Sequence, residues 1–130
     1  MGLFVDSGDV IVQAYGFTID YVLRLFENNV TPAKATVIAD LTECTDVDYS
    51  PITLLSASWS HSAVSDGAGG TMAQSEYPLQ TFGLSSLANT QYGWHLTYGG
   101  VLVAAGAFSS VFEAGGGDCK IVPVLNGDGA

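Results

Sequence analysis

Positive charge is almost absent from this chain. Arg24, Lys34 and Lys120 are its only basic residues against 13 acidic ones, for a net charge of −10. Affinity for nucleic acid comes largely from Lys and Arg neutralising phosphates, and three scattered cations cannot supply it. The negative field also repels DNA, RNA and anionic lipid. Neither nucleic acid nor a membrane surface is therefore expected as a partner. Charge of either sign is scarce, at 12% of residues where ordinary domains carry about 25%. The apolar share is ordinary at 48%, so Ser, Thr, Asn, Gly and backbone must cover the surface, or another subunit must. A surface this poor in charge is weakly defended against association. That favours a protein that lives in an assembly, the alternative being a solitary domain with a Ser/Gly-rich skin.

Residues that carry chemistry are equally few. Cys44 and Cys119 are the only cysteines and belong to no C-x-x-C or Cys/His cluster. They read as two separate buried thiols; a disulfide joining the helix region to the last strand is the alternative, and a nucleophile is least supported. His61 and His95 are the only histidines. No G-x-S-x-G elbow accompanies the many Ser and Asp residues, so both histidines are read as structural or surface groups. Asp66-Gly67-Ala68-Gly69-Gly70 contains no Lys and is a turn rather than a phosphate loop. Asp40, Glu43, Asp46 and Asp48 form an acidic run without the EF-hand glycine and distal Glu, and read as a solvated face rather than a calcium site. The expectation is a non-enzyme with no metal and no cofactor.

No run approaches the roughly 20 apolar residues of a membrane span. Met1 to Phe17 has no basic n-region, and Asp6 and Asp9 interrupt it, so a signal peptide is not expected. The Met-Gly start has Asp6 where a myristoylation motif wants Ser or Thr. A cytosol-like compartment of synthesis is expected.

The length fits one domain spanning residues 1–130, near the common size of about 100–150 residues. Ser7 can cap a helix over Gly8–Tyr15 that turns Val10, Ile11 and Ala14 inward and ends at Gly16. Thr18–Phe26 alternates as a strand, with Asn28-Asn29 closing it. A short helix is expected over Val37–Glu43, with Val37, Ile38 and Leu41 inward. Ile52–Trp59 reads as a strand, Ser60–Ser75 as a mobile glycine-rich loop, and Leu79–Leu84 as a short strand. Tyr92–Tyr98, Gly99-Gly100 and Val101–Phe108 form a hairpin that sets Tyr98, Leu96 and Trp94 opposite Val101, Val103 and Ala105. Cys119–Leu125 is a final strand, and Pro123 makes it an edge. The fold class is mainly β: a compact antiparallel β-sandwich, jelly-roll-like, of six to eight strands with one or two short helices. Tyr21, Leu23, Leu25, Trp59, Phe82, Trp94 and Leu96 are its expected core.

One resemblance runs along nearly the whole chain. It is carried, in order, by LRLFENNVTP (Leu23–Pro32), ADLTECT (Ala39–Thr45), YSPITL with ASW (Tyr49–Trp59), YPLQTF (Tyr77–Phe82), Tyr92-Gly93 and GGDCKIVPVL (Gly116–Leu125). In these segments the chain resembles a family of small virion structural proteins of tailed and environmental bacteriophages. It departs from that family at Val101–Phe108, which has none of the charges common on the returning strand. The resemblance implies a virion protein made in the host cytoplasm. The first expectation is a capsid decoration or cement protein that bridges capsomers on the outer face. Its partners would be other copies of itself and the major capsid protein or another virion protein. A tail, fibre or receptor-binding module is the alternative, with Tyr92, Trp94 and Tyr98 stacking on sugars; a host-directed enzyme or inhibitor is a third. Expected interface residues are Leu3, Phe4 and Val5 at the N-terminus, His61 and Met72 in the loop region, and Cys119, Ile121 and Val122 on the final strand.

Overall fold

The computed structural model describes residues 2–126. Among them are ten strands and one α-helix, in the order β1 (Leu3–Phe4), α1 (Asp6–Tyr15), β2 (Tyr21–Phe26), β3 (Ile52–Leu54), β4 (Ser60–Ser65), β5 (Thr71–Glu76), β6 (Gln80–Leu84), β7 (Gln91–Tyr98), β8 (Val101–Phe112), β9 (Gly117–Ile121) and β10 (Val124–Asn126). They form a mainly β, antiparallel sandwich. A five-stranded sheet is ordered β1-β8-β7-β2-β3, a three-stranded sheet β10-β5-β4, and β6 pairs with β9.

The alternation in β2 decides which face meets which layer. Tyr21, Leu23 and Leu25 point to the main core with Trp94 and Leu96, against Trp59, Tyr77, Phe82, Leu84, Cys119, Ile121 and Leu125 from the rest of the sandwich. The seven residues expected in the core are all buried. On the opposite face of the large sheet, Phe26, Leu102 and Ala105 pack under Val5 and Leu41 in a smaller cluster.

The N-terminus is part of this architecture. Gly2 donates its N–H to the Val124 carbonyl at 2.8 Å, while Leu3 and Phe4 pair with Ala105 and Ala104 of β8. The first residues thus stitch the five-stranded sheet to β10. Helix α1 then crosses β8. Its backbone starts from Val5 rather than from a Ser7 cap, and the Ser7 hydroxyl instead donates to the Leu102 carbonyl at 2.9 Å. Gly16 closes the helix with φ 58 and its N–H on the Val12 carbonyl. Ile11 and Val12 face the core, whereas Val10 is exposed, so the inward face is rotated by one residue from the expected one.

Several expectations are corrected. The hairpin register holds at Tyr98↔Val101 but shifts by one residue before Leu96, which pairs with Ala104, as Trp94 pairs with Gly106. A bulge adds a residue to one strand, and here it brings Val103 against the helix. The Val37–Glu43 helix shrinks to a single 3-10 turn, Ile38–Asp40. Val37 and Ile38 are exposed there and only Leu41 is buried. Ile52–Trp59 is broken after Leu54 by another 3-10 turn, Ser56–Ser58. Cys119–Leu125 is split at Val122-Pro123 into β9 and β10, because the Pro123 carbonyl is taken by the Tyr77 N–H at 2.9 Å and proline has no N–H to offer in return. These breaks, with the hairpin described next, raise the strand count above six to eight.

The acidic run is a clasp. Glu27 accepts from the Thr45 N–H and hydroxyl and from the Asn89 amide. Asp46 accepts from the Ala88 N–H at 2.7 Å. Asp48 accepts from the Ser85 and Ser86 hydroxyls, which hold its carboxyl below the usual range. These carboxylates tie the long 40–50 segment to the turn before β7, satisfying backbone groups that strands would otherwise pair. Glu27→Ala removes one acceptor from three donors. It is expected to cost about 1–2 kcal/mol in urea melts, whereas Asp40→Asn, which keeps an acceptor for the Val37 N–H, should cost less.

Candidate interaction surface

Ser60–Ser75 is not a loop. It is most of a β-hairpin, paired from Ser60↔Glu76 to Ser65↔Thr71. Gly67 and Gly69 take positive φ at its tip, and the Asp66 carboxylate accepts the Ala68 and Gly70 N–H groups. At its base the His61 ring meets Phe17 in a tilted contact, centroids 4.8 Å apart, and hydrogen-bonds the buried Ser75 hydroxyl at 2.8 Å. Beyond the base, β4 and β5 are exposed or half-buried on both faces. The hairpin therefore projects from the sandwich as a two-stranded arm. Val64 lies opposite Met72, so both half-buried side chains sit on one face of the arm.

Among the described residues β5 is the only strand paired with β4, so the outer edge of β4 is open there. Asp66 donates its N–H to the Gly70 carbonyl. Bonded pairs recur every second residue in an antiparallel ladder, so Val64, Ser62 and Ser60 bond inward to β5. The N–H and C=O groups of His61, Ala63 and Ser65 then point out to the open edge. That edge reads Ser-His-Ser-Ala-Val-Ser, without the Lys, Pro or inward charge by which natural edges are blunted.

The other expected interface residues divide. Phe4 and Val5 are buried, and so are Cys119 and Ile121. Phe4 packs against Phe17, Val5 sits in the smaller cluster, and Cys119 and Ile121 take the inward positions of β9 while Lys120 and Val122 face out. Their apolar surface is spent inside the fold, so the reading of these four as partner contacts is corrected. Val122 is exposed and Met72 half-buried. Leu3, also half-buried, lines a cleft of about 220 Å³ with Thr31, Pro32, Ala105, Gly106 and Ala107. This is smaller than the roughly 300–1,000 Å³ of small-molecule pockets, and its walls offer no charged group.

The groups with chemical potential are committed elsewhere. His95 is fully buried on the second face of the large sheet, opposite Arg24. Arg24 pairs with Glu43 at 2.8 Å and donates to Thr97, and Glu43 also accepts the Tyr49 hydroxyl. Cys44 and Cys119 are unpaired and buried, and burial pushes both thiols up to about 11, so they are protonated and poor nucleophiles. The Ser75–His61 bond joins a serine to a histidine, but Ser75 is buried and, among the described residues, no carboxylate bonds the other ring nitrogen. A cross-strand structural pair accounts for it. Trp94, one of the aromatics expected to stack on sugars, is in the core. Among the described residues no group of three or more His, Cys, Asp or Glu is placed to hold a metal, and no helix is long and apolar enough to cross a membrane.

Sequence reasoning missed the arm because Ser, Ala and Gly carry no hydrophobic period. The legible signal was the Asp66–Gly70 turn, with Val64 and Met72 each two residues outside it. No family model, curated protein or solved structure matches the chain.

Proposed function

We propose that this chain is a non-enzymatic structural protein of a bacteriophage virion, a decoration or cement protein on the outer capsid face that bridges capsomers. The observation that carries the reading is the projecting β4–β5 arm, whose outer strand β4 has no charged residue and leaves its edge open. Such an arm binds by main-chain pairing and apolar burial and needs no catalytic group. The net charge of −10 suits an outer face, because a wall this negative would be repelled by packaged DNA. The virion location rests on the resemblance read in the sequence between Leu23 and Leu125. A tail or fibre module that binds sugars is less well supported, since Trp94 lies in the core. Adding purified protein to particles that lack it tests the proposal. It should cosediment to saturation and raise the temperature at which the particles break. Failure to bind mature particles of the matching phage would remove the decoration reading.

A further inference from the structure

The open edge of β4 is complementary to a second copy of itself. Its outward-pointing residues, His61, Ala63 and Ser65, are symmetric about Ala63. A second β4 laid antiparallel with Ala63 opposite Ala63 sets His61 against Ser65 and Ser65 against His61. Every outward N–H and C=O of the three then meets its complement in a bonded pair. The central side chain is a methyl group, so nothing obstructs the axis. No residue of β4 is charged. A chain of net charge −10 repels its own copy over most of its surface, and a stretch free of charge is where that repulsion is weakest.

We infer that two copies of this chain pair through β4, antiparallel about a two-fold axis at Ala63, so that their three-stranded sheets become one continuous sheet. The contact is isologous, the commonest kind in homo-oligomers. One short strand on each side buries less than the roughly 1,200 Å² of stable complexes. The dimer is therefore weak in solution and gains when copies are held side by side. Because like charges oppose it, added salt strengthens it. The inference stands on the edge geometry and does not depend on the virion reading.

Sedimentation equilibrium over a concentration series, at low and high salt, tests it with Ala63→Asp, Ala63→Lys and Ala63→Pro. Wild-type protein should dimerise more at higher concentration and at higher salt. Ala63→Asp and Ala63→Lys alone each place like charges face to face, and should lower the association constant about tenfold or more, equivalent to ~1.4 kcal/mol. Mixed in equal amounts they should form a heterodimer, because only this register sets residue 63 against itself. Ala63→Pro should abolish pairing while keeping the far-UV spectrum, since that N–H points away from β5. If proline unfolds the arm, the two charged variants and their mixture still decide. Wild-type protein that stays monomeric at all concentrations and salts would overturn the inference. So would a dimer indifferent to both charges. A monomer that decorates particles would sink the pairing and spare the proposed function; a dimer that binds no particle would do the reverse.

Discussion

Gly8→Ala is expected to destabilise the protein by about 1–3 kcal/mol or more, although alanine is the better helix former by about 1 kcal/mol. Gly8 lies inside α1, where glycine costs the most, yet it is buried. A Cβ built there would lie 2.5 Å from the Val103 Cα and closer still to the Val103 carbonyl oxygen. The obstacle is backbone, not a side chain that can turn aside. Val103 is itself fully buried at the β8 bulge, and its carbonyl accepts the Val5 N–H at 3.1 Å. Alanine would push α1 off β8 and strain the link from β1 to the helix. Gly70 is the control: the atoms nearest its Cβ would be those of the Asp66 carboxylate, the end of an exposed side chain rather than backbone. Urea melts should show a lower midpoint for Gly8→Ala at unchanged m-value. A midpoint equal to or above wild type would mean that α1 does not dock as described.

His95→Leu is expected to raise stability at neutral pH by about 1–3 kcal/mol, the usual cost of leaving a buried polar group unpaired. His95 is fully buried, and neither ring nitrogen has a hydrogen-bond partner among the described residues. Burial pushes the imidazole down to about 4, with the Glu43 carboxylate opposing that shift and the Arg24 guanidinium adding to it. The ring is thus neutral in the fold and titrates at an ordinary value of about 6.5 when unfolded. Between these values the unfolded chain binds the extra proton. Stability is therefore full above the unfolded value and falls as pH drops toward 4. The loss from this group approaches about 3 kcal/mol. His95→Leu should remove most of that slope. Leucine also keeps roughly the same volume, so no large cavity forms. Melts between neutral pH and pH 4 check both parts. A less stable variant with the slope intact would mean that His95 has a polar partner that matters.

How much of this was legible beforehand depended on side-chain contrast. β2 and β7 alternate bulky apolar residues with polar ones, so Tyr21, Leu23, Leu25, Trp94 and Leu96 could be assigned to the core from spacing alone. The Gly99-Gly100 turn fixed the hairpin. Its register could be followed only as far as Thr97, because a run of Leu, Val, Ala and Ala in β8 fits any register equally well, and the bulge that moves Leu96 onto Ala104 leaves no mark in such a run. The arm was hidden for the opposite reason. Ser60–Ser65 and Thr71–Glu76 hold together through the ladder and a carboxylate-capped turn, not through burial. Phe4 and Val5 look like interface residues in the sequence because their partners, Phe17 and the β8 backbone, are distant in sequence or featureless. Cys119 and Ile121 alternate with the exposed Lys120 and Val122, and that alternation places them inward. His95 could be placed away from Trp94, but not within reach of the Glu43 charge, which comes near it only because the long 27–48 segment folds back over the sheet.

The proposal that this chain is a structural component of a virion is tested most directly by quantitative mass spectrometry of purified particles, with copy number referred to the major capsid protein. The account predicts a protein present in many copies, a fixed fraction of the capsid subunits, and lost when the outer surface is stripped under mild denaturing conditions. Its absence from particles, with the protein free in the lysate of infected cells, would contradict the account.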